Sequence, residues 1–394
     1  MFSDFGWLCL DIVRALGTGA WPKAWAALWG SYLFHNVLVT GIVLFSLYLA
    51  WHSWRSAWWR EVWGRVFSKR LTAVCFGILI LYVMVGFLDS FAWPDVMRDE
   101  TGRSRRDKAE RLIRERVWSS LLDRVLSSLR NNTEKTYSAP FADVSLMKET
   151  VERDGKAVRE SPSLAHPGTH ILGTDKVGQD VLYRAIKGVR TALIIGAFTT
   201  LLAIPFAIFF GVAAGYFRGW ADDIIQYLYT TLASIPDILI IASCILIFGR
   251  GLAQLAIIMG ITSWTGLCRL LRGETMKIRE LEYIQSAQAL GMSPWRVLLR
   301  HIVPNVFHIV IISAVLRFSG LVMSEAMLSF LGIGVDPSAG SWGNMINRAR
   351  MELAQDPIVW WNLAGAFVFM LVLVLSANIF GDRLRDALDP RLKT

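Results

Sequence analysis

The sequence predicts an all-α protein, a polytopic bundle of about seven membrane-spanning helices, and three observations predict it. Apolar residues occur in runs of about twenty, the length at which a helix crosses the hydrocarbon of a bilayer. The composition matches, with 54% hydrophobic residues, 17 Trp and 21 Phe but only 19% charged residues in 394. The charges gather between the runs, and the surplus of +9 is basic where short loops meet the membrane. Basic residues in that placement hold loops and anionic lipid headgroups. No motif of a nucleic-acid-binding protein accompanies them, so nucleic acid is excluded as a partner.

Residues 1–30 mix Asp4, Asp11, Arg14 and Lys23 with several Trp, which suits a short interfacial helix. The start, with Phe2, Ser3 and Asp4, has no basic stretch ahead of an apolar run, so a cleaved signal peptide is not expected. The first span is Ser31–Trp51. It leads into Trp51, Trp54, Trp58, Trp59 and Trp63, interleaved with Arg55, Arg60, Arg65, Lys69 and Arg70, a pattern suited to a helix in the headgroup layer. The second span is Leu71–Phe91. Residues 93–188 form the one sizeable polar segment, in which 103–130 has helical apolar spacing (Leu112, Val117, Leu121, Leu122, Val125, Leu129) and Tyr137–Pro167 reads as loop. Five further spans follow at Val189–Phe217, Ile224–Phe248, Leu252–Leu270, Val306–Leu331 and Val359–Phe380, with Pro205 and Pro236 inside two of them. The chain therefore divides into 1–70, 71–92, 93–188 and 189–394, the last containing a polar loop at 271–305.

Charge orients the bundle. The loop 52–70, the stretch 269–301 (Arg269, Arg272, Lys277, Arg279, Arg296, Arg300) and the tail after Gly381 are basic, and alternation across seven spans places all three on one side. The positive-inside rule makes that side cytoplasmic, which puts 93–188 and 332–358 outside. Cys9, Cys75, Cys244 and Cys268 are scattered through apolar stretches without a paired spacing, so neither a metal site nor a disulfide framework is expected. No His-Glu-x-x-His helix and no Ser, His and Asp set marks an intramembrane catalyst, so no catalytic residue is assigned. A phosphate-binding Gly-x-x-x-x-Gly-Lys-Ser/Thr loop is also absent; Gly155-Lys156 lacks both its upstream Gly and its following hydroxyl.

The informative stretch lies in the 271–305 loop. Gln285-Ser286-Ala287-Gln288-Ala289-Leu290 suits a short helix of small residues, capped by Gly291. A second short helix starts near Pro294 and is expected to end ahead of Pro304. Small side chains on a short exposed helix let a partner approach the backbone closely.

Those residues resemble the coupling loop of ABC importer permeases, with Gln285-Ser286-Ala287 in place of Glu-Ala-Ala, then Gly291, and Pro304 thirteen residues on. The ending His301-Ile302-Val303-Pro304-Asn305 is similar to the dipeptide/oligopeptide/nickel branch. So are Leu172-Gly173-Thr174-Asp175 with Gly178-Gln179-Asp180, and Ala214-Gly215-Tyr216-Phe217-Arg218-Gly219-Trp220. Ser324–Gly332, Trp342-Gly343-Asn344-Met345 and Gly381–Arg391 complete a likeness covering roughly 165–394. It leaves 1–70 and 94–160 unexplained, and Ser31–Trp51 stands as an addition to the six spans usual in the branch. Gln285, Ser286 and Gln179 depart from the branch, which has Glu, Ala and Arg there.

The resemblance implies a type I ABC importer permease in the cytoplasmic membrane of a bacterium, moving peptides, nickel or another small solute by alternating access. It implies two separate ATPase subunits, a second permease that is a different chain, a solute-binding protein outside, and surrounding membrane lipids. This chain would bind no cofactor itself, with ATP and Mg on the partner subunits. Gln285, Ser286, Ala287, Ala289, Leu290, Gly291, His301, Pro304 and Asn305 are the residues expected to meet the ATPases. Ionisable residues inside spans are functional candidates. Arg317 and Glu325, eight positions apart in one span, either line the pathway or pair structurally, whereas His308 reads as interfacial. The helix at 103–130 is a candidate dock for the solute-binding protein, or a self-packed insertion. The alternative from another class is a secondary transporter driven by an ion gradient, which would show an internal repeat with paired broken helices. Pro205 and Pro236 are a slight hint of it.

Overall fold

Five helices among the described residues are long and apolar enough to cross a membrane: Arg70–Ser90, Val181–Phe217, Leu252–Arg279, Pro294–Phe330 and Trp361–Leu388. A pair, Gly219–Ser234 and Asp237–Phe248, passes the same test together but is bent by 85°, giving up to six spans. The computed structural model describes residues 32–96, 114–153 and 156–388. The interfacial helix expected over 1–30 lies outside them. One compact unit comprises the described residues of 1–61 and 83–131, the other those of 62–82 and 132–394.

In the first unit, α1 (Tyr32–Arg55, 24 residues) occupies the place of the first expected span and is about 36 Å long at 1.5 Å per residue. The start of α2 (Ala57–Val66) and the end of α3 (Arg70–Ser90) belong to this unit. Asn36 on α1 exchanges two hydrogen bonds with the backbone of Ala92, at 2.7 and 3.0 Å. Ala92 opens β1 (Ala92–Val96), which pairs antiparallel with β2 (Arg114–Ser120). Here the expectation of a single helix over 103–130 is corrected. A strand occupies 114–120, and two short helical turns follow, α4 (Leu121–Val125) and α5 (Ser127–Asn131). The break falls where Ser120 makes a capping box with Asp123, and its hydroxyl donates to Asp89 at 2.7 Å. A hydroxyl used this way starts a new helix and cannot lie inside an old one.

In the second unit, Tyr137–Pro167 holds a hairpin, β3 (Glu149–Arg153) with β4 (Lys156–Glu160), in place of the expected loop. The central element is α6 (Val181–Phe217), which starts two turns before the apolar run. Ala203, Ala207, Gly211 and Gly215 recur every fourth residue along it. A methyl group added at Gly211 would lie 2.7 Å from the Cys268 carbonyl, and one at Gly215 would lie 2.6 Å from Thr275 Cβ. This small-residue stripe lets α6 approach the backbone of a neighbouring helix closely, as helices in a membrane do.

The pair α7 (Gly219–Ser234) and α8 (Asp237–Phe248) corrects the single span expected at Ile224–Phe248. Pro236 breaks it because the residue before a proline is driven out of the helical region, and Ile235 is extended (φ −98°, ψ 132°). Pro205, by contrast, stays inside α6. Helices α9 (Leu252–Thr262) and α10 (Thr265–Arg279) form one span with a step at Ser263–Trp264. Helix α10 carries Cys268 and Thr275, the partners of the stripe on α6. Arg272 of α10 makes a two-pronged ion pair with Asp222 of α7, at 2.5 and 2.7 Å.

After α11 (Glu282–Ala289), the chain runs through α12 (Pro294–Val297), a π-helical turn (Leu298–Ile302) and α13 (Val303–Phe330). The second short helix thus does not end ahead of Pro304. The N–H of Val303 bonds to Leu298 O, five residues back, and the wider turn accommodates a proline that has no N–H of its own. The last two helices are α14 (Trp342–Glu352) and α15 (Trp361–Leu388). Trp63, Phe67 and Phe76 are in ring contact with one another, and Trp63 and Phe76 also with Phe380 of α15, at centroid distances of 5.1–6.4 Å.

Candidate functional site

The residues around α11 form the site. At its entry Glu280 bonds to Arg218 at 2.5 Å, and extended Leu281 (φ −72°, ψ 140°) turns the chain out of α10. Of the eight residues in α11 only Ile284 is buried, at 0% exposure. It packs into the cluster that holds Tyr216, Leu271, Val297 and Leu298. Its neighbours face outward: Tyr283, Gln285, Ser286 and Ala289 are exposed, and Leu290 is 89% exposed. Gln288 donates to the Tyr216 hydroxyl at 3.2 Å, a polar tie beside the apolar peg.

Gly291 closes α11 as expected, with φ +80°. Its N–H bonds to Gln288 O at 2.9 Å, and that of Met292 to Ala287 O at 3.1 Å. These are the two bonds of a Schellman motif, which needs a left-handed residue at this position. Pro294 then stands at the first position of α12. Pro304 and Asn305 are exposed, and the Asn305 amide ties the two arms together, donating to Tyr283 Oη at 2.9 Å and to His301 O at 2.7 Å. The rings of Tyr283 and His301 approach to 6.2 Å. Of the nine residues predicted for partner contact, six therefore fall on α11 and its cap, His301 in the π turn, and Pro304 and Asn305 in the first turn of α13. Gln285, in place of a carboxylate, uses its amide to donate to Glu280 O at 3.2 Å, and Ser286 is exposed. Neither replacement disturbs the helix. A rigid helix with an exposed Leu at its tip can seat another protein.

The reading of residue types missed Ile284, Tyr216, Tyr283 and the Asp222–Arg272 pair. Tyr216, Tyr283, Ile284 and Arg272 lay within stretches that the sequence marks out, but nothing in their residue types gave these roles, and Asp222 had no signal.

Arg317 and Glu325 do not pair. Glu325 is 1% exposed, and its Oε1 accepts from Ser329 and Ser341, both at 2.7 Å. Ser341 also caps α14 by accepting from Gly343 N, so Glu325 fastens the loop after α13. Arg317 donates to the carbonyl of Ser263 at the α9–α10 step. His308 takes a local role, with Nδ1 2.8 Å from Asn305 O.

At the opposite end, the Leu172–Leu182 motif is a folded plug. Asp175 Oδ1 accepts from the N–H groups of Val177 and Gln179 at 2.9 and 3.0 Å and its other oxygen pairs with Arg184. Asp180 caps α6 through Tyr183 N at 3.1 Å and meets His170 Nδ1 at 2.9 Å. Gln179 enters only through its backbone; its side chain is exposed. Close by, Glu352 accepts from Tyr137 and Asn362 at 3.2 and 2.9 Å. Burial raises the Glu352 carboxyl above its ordinary value, and burial, aided by Glu352, pushes the Tyr137 phenol up to about 12. No group of three or more His, Cys, Asp or Glu fit to hold a metal ion occurs among the described residues.

A family model described as the binding-protein-dependent transport system inner membrane component matches residues 207–394. The chain is 36% identical over 243 residues to the glutathione transport system permease protein GsiD of Pectobacterium atrosepticum, covering 61% of this chain and 78% of that one. It is 30% identical to the dipeptide transport system permease protein DppC of Bacillus subtilis (57% and 69% covered). It is 31% identical to the oligopeptide transport system permease protein OppC of Haemophilus influenzae (57% and 71% covered). Among solved structures, a chain of the inward-facing MetNI methionine ABC transporter is similar at 17% identity with a TM-score of 0.43, covering 52% of this chain and 97% of that chain.

Proposed function

We infer, since this chain belongs to the peptide-importer branch of the binding-protein-dependent transport permeases, that it imports short peptides across the cytoplasmic membrane of a bacterium. In this reading two ATPase subunits dock on α11 and its counterpart on a second permease. ATP and Mg stay on those subunits, and a solute-binding protein delivers the peptide to the face carrying the Leu172–Leu182 plug. ATP binding draws the ATPases together, α11 moves with them, and the spans rock between outward-open and inward-open states.

The observation that carries the reading is the build of α11. It is a helix of eight residues with one buried peg, a Schellman cap at Gly291 and an 89% exposed Leu290 at its tip. A loop that only joined two spans would need none of these.

The test is co-purification of the tagged protein from detergent, with mass spectrometry of what accompanies it. ATPase subunits and a second permease are expected, with the ATPases lost in a folded Leu290→Asp variant. A folded sample without ATPase that transports on an ion gradient alone would overturn the reading in favour of a secondary transporter. None of the relatives above is named as one.

A further inference from the structure

One face of α10 carries a groove that the docking of α11 does not use. Gly266, Arg269, Leu270, Gly273, Glu274 and Lys277 line an open volume of about 340 Å³, within the range of small-ligand sites. These positions recur at three- and four-residue steps, so they share one side of the helix over about 16 Å of its length. Gly266 and Gly273 keep the floor low: a methyl group at Gly273 would meet nothing within 4 Å.

Arg317 stands beside Gly266, at the head of the groove. A Cβ at Gly266 would stand 2.5 Å from Arg317 Nη2. Arg317 lies thirteen residues from the end of α13 at Phe330 and fourteen from its start at Val303, about 20 Å from either end and so near the middle of the span. From there the groove runs down α10 towards α11. Its walls carry two cations, Arg269 and Lys277, against one acid, with Arg317 next to its Gly266 end. Glu274 is bonded to Lys277 at 2.8 Å, which leaves the two guanidinium groups in excess. Arg269 lies with its guanidinium carbon 5.3 Å from the centre of the Tyr229 ring. Arg317 gives one of its five donors to Ser263 O, and Asp237, at the start of α8, is the acid whose charge reaches it. Cations at this depth are costly unless they face water or an anionic partner. Guanidinium is also the side chain best shaped for a carboxylate, which it grips through two parallel N–H bonds.

We propose that this groove, headed by Arg317, conducts the carboxylate end of a short peptide along the half of the permease nearer α11. The inference rests on the importer reading above and adds what the pathway recognises. The experiment uses the whole complex in liposomes, with its binding protein, ATPases and second permease. Uptake of a free dipeptide is compared with uptake of its C-terminal amide, for the wild type and for R269Q. Selection by the binding protein is common to both samples and cancels in the ratio of ratios. We expect R269Q to lower free-peptide uptake relative to amide uptake by fivefold or more. Gly273→Leu, whose Cβ has open space around it and whose side chain would occupy the groove, should lower uptake of both by tenfold or more in a complex that still assembles.

Equal loss of both peptides in R269Q, or loss of neither, overturns the proposal. Loss of the second permease from the complex in Gly273→Leu overturns it as well, and identifies the groove as the seat of that chain. A wild-type complex that imports no peptide overturns the importer reading itself, an outcome distinct from the other two.

Discussion

Gly291 allows a prediction in which backbone conformation is separated from surface contact. Its φ is +80°, and a Cβ built there meets nothing within 4 Å, so any substitution that harms it does so through the backbone. The left-handed region costs an ordinary L-residue about 1–2 kcal/mol, less for Asn and more for a β-branched side chain. Against this stand the two Schellman bonds, at 2.9 and 3.1 Å, each contributing about 0.5–1.5 kcal/mol net. The opposing terms are of similar size. Gly291→Asn should keep the turn, Gly291→Ala should weaken it, and Gly291→Val should open it and release α11 from its fixed orientation. Each 1.4 kcal/mol shifts the docked population about tenfold. The assay is the amount of ATPase retained per permease, together with the peptide-dependent rate of ATP hydrolysis. The expected order is Gly, Asn, Ala, Val. If the Asn and Val variants behave alike, the reasoning is refuted, because the position would then matter through side-chain contact and not through backbone angle.

Three further outcomes are expected. Ile284→Ala removes the single peg of α11 at a cost of about 2–5 kcal/mol, and limited proteolysis after Arg279 should accelerate tenfold or more; unchanged cleavage would show that α11 is held by other contacts. Asp222→Asn leaves Arg272 without its carboxylate at a cost of about 3 kcal/mol, at the low end for breaking a buried pair since the two side chains keep 12% and 23% exposure. The thermal midpoint in detergent should fall, and should recover in part when Arg272→Leu is added. The third concerns pH. Because burial raises the Glu352 carboxyl above 4.5, its contribution to stability is full below that pH and is lost as pH rises through the elevated folded value. The difference in midpoint between the wild type and Glu352→Gln should therefore move in favour of the Gln variant as pH rises from about 4.5, and a difference flat across that range would contradict the assignment.

The membrane spans were legible because a run of about twenty apolar residues has few other uses in water or lipid. So was the cap at Gly291, since a glycine after a run of small helix formers marks a left-handed stop. What failed was local competition. Leu112, Val117, Leu121 and Leu122 have helical spacing, yet Ser120 spends its hydroxyl on a cap and on Asp89, and the residues before it pair as a strand. Two prolines had opposite effects: Pro236 breaks its span, whereas Pro304 is absorbed by a π turn, a choice made by hydrogen bonds that no spacing reveals. Arg317 and Glu325 were found because charge within a span is conspicuous. Their separate duties depended on Ser263, Ser329 and Ser341, residues too ordinary to stand out.

The widened turn at Leu298–Ile302 makes the stretch from Pro294 to Phe330 a single rod of 37 residues, about 55 Å from end to end. A chain interrupted at Pro304 would behave as a jointed limb, dissipating at the joint whatever was applied to its foot. The continuous rod delivers thrust instead. Its foot lies beside α11, and its far end is latched through Glu325 to the serine that opens α14. In the importer reading, a displacement at Trp295 would be carried to the opposite rim of the permease through the π turn, so a change in those five residues would alter how the two rims answer each other.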